Sequence, residues 1–327
     1  MSKYIIIYHR DDNDGVCSAA ILKHYLIVKE LATEGDITMF PATYTILTQY
    51  VNEHGGIENA FKDWDNIIMT DMSFDTGKWM IKLHEMYGSR FTWIDHHAPI
   101  IAEVDRANVI INGVQRTECS AILNAYKYCW DVFDTEYLLG KAPLVLVYLS
   151  AWDSFSFERE NLDRDEVRMV NTAFTSMSEI TVDWYYERMD KILTSWSYNQ
   201  KLVAEALELG RRITEKKDKA DADMIARNGI GGFTVGPDNR SAVAIFLSGP
   251  TNSIMFKSVA GKYQHGIVFK SDNTGNIVVS LYNVVEKHDF HCGEYLKNTY
   301  GGGGHEGAAG CTLTIDKFTK IMKTKHI

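Results

Sequence analysis

Apolar positions fall along this chain in two kinds of run. Residues 3–9, 37–42, 66–71 and 91–95 are short stretches dominated by Ile, Tyr, Met and Phe, and three of them end on a polar residue: His9, Asp71 and Asp95. Short apolar runs rich in β-branched and aromatic residues predict strands. Between them the spacing changes. Gly15 opens a segment with Ala19, Leu22 and Leu26 at helical intervals, and residues 75–87 place Trp79, Met80, Leu83, Met86 and Tyr87 likewise. Alternation of strand and helix predicts an α/β fold, with a mainly parallel sheet covered by helices on both faces.

Further along, residues 118–130 and 135–152 have helical spacing, and residues 182–228 form a long, charged helical stretch ending in a Lys- and Asp-rich segment. A new unit starts near Gly229-Ile230-Gly231-Gly232, with strand signals at 233–235, 242–246, 264–269 and 277–281 and a glycine run at 301–304. The expected organisation is a first domain over 1–181, a helical linker over 182–228, and a smaller α/β domain over 229–327. The site is expected between the two domains.

Composition narrows the classes. The 327 residues are 45% hydrophobic and 24% charged, enough apolar material for two cores. The apolar run after Met1 is too short for a signal peptide, and no run suits a bilayer span, which predicts a cytoplasmic protein with no membrane partner. The five cysteines contain no C-x-x-C pair and read as reduced, buried thiols. A net charge of −9 argues against a protein that grips long duplex nucleic acid. Short anionic substrates stay open, because bound cations can supply local positive charge.

Chemistry concentrates in four clusters. The first is His9-Arg10-Asp11-Asp12-Asn13-Asp14-Gly15, the second Asp71, the third Asp95-His96-His97, and the fourth Asp153. Ligands of parallel sheets bind beyond the carboxyl ends of the strands, where all four clusters are expected to lie. Each alone has an ordinary explanation: a turn former, a helix cap or a hydrogen-bonded core histidine. An EF-hand is excluded, because no Glu follows the acidic loop at the required spacing. Together they need a common cause, since carboxylates pushed together repel unless cations neutralise them. Carboxylate and imidazole donors suit Mn²⁺ or Mg²⁺.

These clusters resemble the DHH phosphoesterase superfamily, whose name is the triplet at Asp95-His96-His97. The first cluster resembles its H-x-D…D-G motif, and Asp71 and Asp153 match its single-Asp motifs in order. Gly301-Gly302-Gly303-Gly304-His305-Glu306-Gly307-Ala308-Ala309-Gly310 looks like the G-G-G-H-x-x-A-A-G signature of the DHH-associated substrate domain. The resemblance covers nearly the whole chain. It implies one Mn²⁺ on His9, Asp11 and Asp71, with Asp12 as the alternative to Asp11. It implies a second ion on Asp14, Asp71, His96 and Asp153, with Asp71 shared. His97 would face the scissile phosphate, Asp95 would orient the imidazoles, and Gly303, Gly304 and His305 would hold the far end of the substrate.

Some relatives carry an Arg in the strand before the glycine signature, where this chain has Ser280-Leu281-Tyr282-Asn283. Arg116 and Ser120 are candidate phosphate contacts, with a surface Arg and an N-cap as the alternative. The aromatic stretch Trp184-Tyr185-Tyr186 reads as core packing. The activity expected is Mn²⁺-dependent hydrolysis of short single-stranded oligonucleotides to mononucleotides, as in oligoribonucleases of the nanoRNase type. Alternatives are cyclic dinucleotides, 3′-phosphoadenosine 5′-phosphate-like nucleotides or pyro- and polyphosphate as substrate, and a nucleotide-binding protein without turnover. Mg²⁺ is the alternative ion, and a homodimer is compatible with the sequence.

Overall fold

Successive side chains of the central strands enter different cores. The computed structural model describes residues 2–130, 142–177, 181–249, 251–272, 274–285 and 289–327. The chain runs β1 (Tyr4–His9), α1 (Asn13–Val28), β2 (Ile37–Ala42), α2 (Tyr44–Glu53), α3 (Ile57–Ala60), β3 (Asn66–Thr70), α4 (Gly77–Tyr87), β4 (Phe91–Asp95), α5 (Ala98–Arg106) and β5 (Gly113–Gln115). Helices α6 (Ala121–Trp130), α7 (Leu144–Asp153), α8 (Arg164–Ser176), α9 (Val182–Thr194) and α10 (Trp196–Asn228) follow. The five strands form a parallel sheet in the order β2-β1-β3-β4-β5.

Ile5 and Ile7 of β1, Ile67 and Met69 of β3, and Phe91 and Trp93 of β4 pack against Leu47, Ile57, Met80, Leu83, Ile101 and Val104 of α2 to α5. Ile6, Tyr8, Ile68 and Ile94, one position out of phase, pack against α1 and α6 to α9. The two-residue period of a strand thus loads both faces of the sheet, and helices cover each.

Two compact units divide the chain, Met1–Ile213 and Thr214–Ile327, so the division falls within α10. Helix α9 lies in the first, and its Val182, Tyr185, Met189 and Ile192 are buried in the core shared with α1. Tyr185 stacks on Phe174, ring centroids 6.0 Å apart, and Trp184 meets the same ring edge-on.

The second unit adds β6 (Ile230–Val235), β7 (Arg240–Phe246), β8 (His265–Ser271), β9 (Ile277–Asn283), α11 (Cys292–Tyr300), β10 (Gly303–Gly304), β11 (Ala308–Leu313) and α12 (Ile315–Thr324). Its six strands order as β10-β11-β9-β8-β7-β6, with β7 and β8 parallel and the other neighbours antiparallel. Both units are α/β.

Several elements differ from expectation for local reasons. The third strand stops at Thr70, because Asp71 turns into the left-handed region with φ 53°. The helix expected over 118–130 begins only at Ala121. Of the helix expected over 135–152, residues 135–141 lie outside those described, and α7 starts after Pro143 at its N-cap. The charged stretch 182–228 is two helices, interrupted at Ser195. All five cysteines are buried and free.

Candidate metal centre

The strand order places a switch between β1 and β3: from β1 the chain goes to β2 on one side and later to β3 on the other. Open parallel sheets bind ligands beyond the carboxyl ends of strands at such a point. His9 ends β1, Asp71 follows β3, and Asp95 ends β4 with His96 and His97 next. The register, with Tyr8 beside Thr70 and Thr70 beside Ile94, brings these three ends level. Gly15 allows α1 to start immediately above β1. A Cβ there would lie 2.0 Å from the carbonyl oxygen of His9.

Ligand atoms of His9, Asp12 and Asp71 lie within 4.8 Å of one another. His9 Nδ1 is 2.9 Å from Asp12 Oδ2 and 3.9 Å from Asp71 Oδ2. Asp12 also caps α1, its Oδ1 accepting the Gly15 N–H at 3.1 Å. Asp11, the expected ligand, does not join this group. Its carboxylate is 56% exposed and lies 3.5 Å from Arg10 Nε. The difference between the two has a backbone cause: Asp12 is the extended N-cap residue of α1, and the exposed Asp11 precedes it.

A second group joins Asp14, His96 and Asp153, again with donors within 4.8 Å. His96 Nε2 lies 3.0 Å from Asp153 Oδ2, 3.3 Å from Asp71 Oδ1 and 3.5 Å from Asp14 Oδ2. Asp71 is therefore within reach of both imidazoles. Asp14 is held by the start of α6: its oxygens accept Ser120 Oγ–H at 2.5 Å and the N–H groups of Ala121 and Ile122 at 2.8 Å each. Ser120 is fully buried. Its hydroxyl and the adjacent N–H groups of Ala121 and Ile122 are all bonded to Asp14.

Asp95 is fully buried, and its Oδ1 accepts the His96 N–H at 2.8 Å and His97 Nδ1–H at 2.7 Å. The His97 side chain is 40% exposed. Asn124 ties the neighbourhood together, donating to the carbonyls of Asp95 at 3.0 Å and Arg116 at 2.9 Å. Arg116 follows β5; its backbone N–H bonds Asp95 O at 3.2 Å, and its 42% exposed side chain lies 3.6 Å from Glu118.

The electrostatics test whether cations fit. Burial, then the charge of Asp153, pushes Asp14 up to about 7. Burial and the charge of Asp14 raise Asp71 well above the usual carboxylate range. Burial lowers the His96 pKa, but hydrogen bonds to Asp153 and Asp71 and the charge of Asp14 outweigh it, pushing the imidazole up to about 11. The hydrogen bond to Asp12 raises His9, and that to Asp95 raises His97. Protons thus occupy places where a dipositive ion would neutralise the same carboxylates. Asp95 Oδ2 is also buried without a hydrogen-bond partner among the described residues. A set of imidazoles and carboxylates lacking thiols fits Mn²⁺ or Mg²⁺.

The glycine signature lies in the second unit. Gly304 has φ 147°, and a Cβ there would lie 2.5 Å from Ala308 O, so packing alone requires glycine. Gly303 is exposed, and a Cβ on it would meet nothing within 4 Å. His305 is exposed, and its backbone bridges Ala308 O at 2.7 Å and Gly293 N at 2.9 Å. Asn283, at the end of β9, holds this loop, donating to Phe290 O at 2.8 Å and Glu306 O at 3.0 Å.

Sequence reasoning missed Asn124 and Asn283, whose partners are distant in the chain. It also missed Tyr44, a half-exposed ring at the start of α2 with its centroid 6.0 Å from that of His9. The one available signal for Tyr44 was its place just after a strand end.

Residues 3–150 match the family model described as DHH family, N-terminal domain. Among solved structures, the DHH domain of a member of the s1p family of ribosomal proteins is 14% identical, with a TM-score of 0.60 covering 99% of this chain and 85% of that one. An exopolyphosphatase-related protein from Bacteroides fragilis is 13% identical, with a TM-score of 0.52 covering 99% and 91%. The pGpG-specific phosphodiesterase PggH from Vibrio cholerae is 17% identical, with a TM-score of 0.50 covering 98% and 97%. Likeness at these identities shows a shared fold. No curated protein matches the chain in sequence. Among the described residues, no helix is long and apolar enough to cross a membrane.

Proposed function

We propose, from the match of residues 3–150 to the DHH family N-terminal domain, that this chain is a divalent-metal-dependent phosphoesterase that hydrolyses short oligonucleotides to mononucleotides with Mn²⁺. The observation that carries this reading is the shared position of Asp71, between His9 Nδ1 at 3.9 Å and His96 Nε2 at 3.3 Å. His9, Asp12 and Asp71 would hold one ion, and Asp14, Asp71, His96 and Asp153 the other. When bound, such a pair supplies positive charge to the phosphate oxygens and lowers the pKa of a water.

The protein's own groups complete the chemistry. Asp95 fixes the His97 ring through Nδ1 and favours its protonated form. The Nε2–H of that imidazolium is then available to donate to a non-bridging phosphate oxygen and to stabilise charge that develops there. Arg116, whose backbone N–H bonds Asp95 O, would add a second cation for phosphate. The net charge of −9 favours short substrates over long polymers.

The test is a substrate ladder with purified protein and Mn²⁺: 5′-phosphorylated di-, tri- and tetranucleotides, pGpG among them, beside cyclic dinucleotides, 3′-phosphoadenosine 5′-phosphate, pyrophosphate and polyphosphate. Release of mononucleotides from the dinucleotides, abolished by EDTA, is the expected result. Intact di- and trinucleotides would refute it.

A further inference from the structure

Phe155 occupies a position that folding alone would give to glycine. Helix α7 ends at Asp153, with Ser154 as its C-cap. The Ser156 N–H bonds back to Ala151 O at 3.1 Å, the reverse turn that commonly closes helices around a left-handed glycine. Phe155 sits in that left-handed position, with φ 50°. Among the described residues, every other non-glycine with positive φ is Asp, Asn, Glu or Lys. Polar side chains tolerate this region better than a bulky aromatic does.

The ring recovers little of that cost by burial. Phe155 is 69% exposed. Its nearest aromatic neighbour, Phe157, meets it edge-on with centroids 6.2 Å apart, and Phe157 is itself covered by the Arg164 guanidinium at 5.5 Å. The turn is held by other contacts: Ser154 Oγ donates to Ser150 O at 2.8 Å and lies 3.0 Å from Ser156 Oγ. An exposed aromatic in a strained position just past a helix end contributes neither core nor turn. It stands two residues from Asp153, whose carboxylate lies 3.0 Å from His96 in the candidate metal centre.

We infer that Phe155 is a stacking surface for a nucleobase of the substrate, so that the phosphoester handled at this centre carries a base next to the scissile phosphate. This rests on the phosphoesterase reading above and deepens it, since inorganic polyphosphate has no π-face to stack. Stacking of a base on an aromatic ring is sequence-tolerant, so no strong preference among bases is expected.

The experiment compares full-length wild type, Phe155→Gly and Phe155→Trp on a 5′-phosphorylated dinucleotide and on its abasic counterpart with the same phosphodiester, with Mn²⁺ present. The readout is the ratio of kcat/KM for the two substrates, with Tm recorded for each variant. Phe155→Gly is expected to lower the ratio about tenfold, mostly through KM, on the scale of losing one stacked base. Phe155→Trp should retain the ratio. The Tm of Phe155→Gly should equal or exceed that of wild type, which separates lost binding from lost fold. An unchanged ratio in Phe155→Gly, with an active wild type, overturns the stacking role and leaves the phosphoesterase reading intact. A wild type that cleaves pyrophosphate and no nucleotide overturns both.

Discussion

Ser120 donates its hydroxyl to Asp14 Oδ1 at 2.5 Å across 106 residues of chain. The start of α6 is therefore capped by a carboxylate from α1, which fixes Asp14 beside His96. Ser120→Ala removes a buried hydrogen bond to a charged group, a change that typically costs about 1.5–3 kcal/mol. Thermal denaturation should show that loss, while KM for substrate should change little. A large KM effect with unchanged stability would return Ser120 to a substrate-binding role.

Asp11 and Asp12 should separate cleanly. Asp12→Ala removes both the partner of His9 and the cap of α1, so it should weaken Mn²⁺ binding at least about tenfold and destabilise the fold by about 1 kcal/mol. Asp11→Ala changes an exposed side chain and should stay within about 0.5 kcal/mol of wild type. Titration calorimetry with Mn²⁺ on both variants decides the assignment.

Asp95→Asn keeps the shape of the side chain and removes the charge that holds His97. Loss of such an orienting partner typically costs about 10–100-fold in activity. The His97 pKa should fall, because the Asp95 hydrogen bond is the largest cause of its elevation. Imidazole NMR titration of the metal-free protein reads this directly, and an unmoved His97 titration would argue against the pairing.

Metal-free protein should lose stability as pH rises. Asp14 goes from 3.8 to about 7 on folding and His96 from 6.5 to about 11, so both bind protons more tightly in the folded state. Their contributions are complete below the unfolded values. That of Asp14 is lost between 3.8 and about 7, and that of His96 between 6.5 and about 11. Mn²⁺ must displace those protons, so the rise in Tm on adding it to EDTA-treated protein should grow with pH. A Mn²⁺-induced shift that shrinks with pH would contradict this.

Gly15→Ala drives a methyl group to within 2.0 Å of the His9 carbonyl oxygen. Backbone cannot yield as a flexible side chain does, so stability should fall by about 3 kcal/mol or more. Mn²⁺ binding should weaken with it, because His9 shares the displaced segment. Wild-type Tm in this variant would mean that α1 can slide away from β1.

What the chain determined unaided was local. Short continuous apolar runs marked β1, β3 and β4, because a strand buried on both faces needs apolar residues in succession. The acids and imidazoles at the ends of those strands marked the centre, because a parallel sheet delivers strand ends to one edge. The tertiary structure alone set Asp12 beside His9 and left Asp11 exposed, since adjacent residues differ only in which way the N-cap turns them. It alone buried Ser120 against Asp14, set Asn124 and Asn283 as ties, and left Phe155 exposed in a left-handed turn. Each of these depends on a partner supplied by distant chain or on a backbone angle, and neither is encoded in spacing along the sequence.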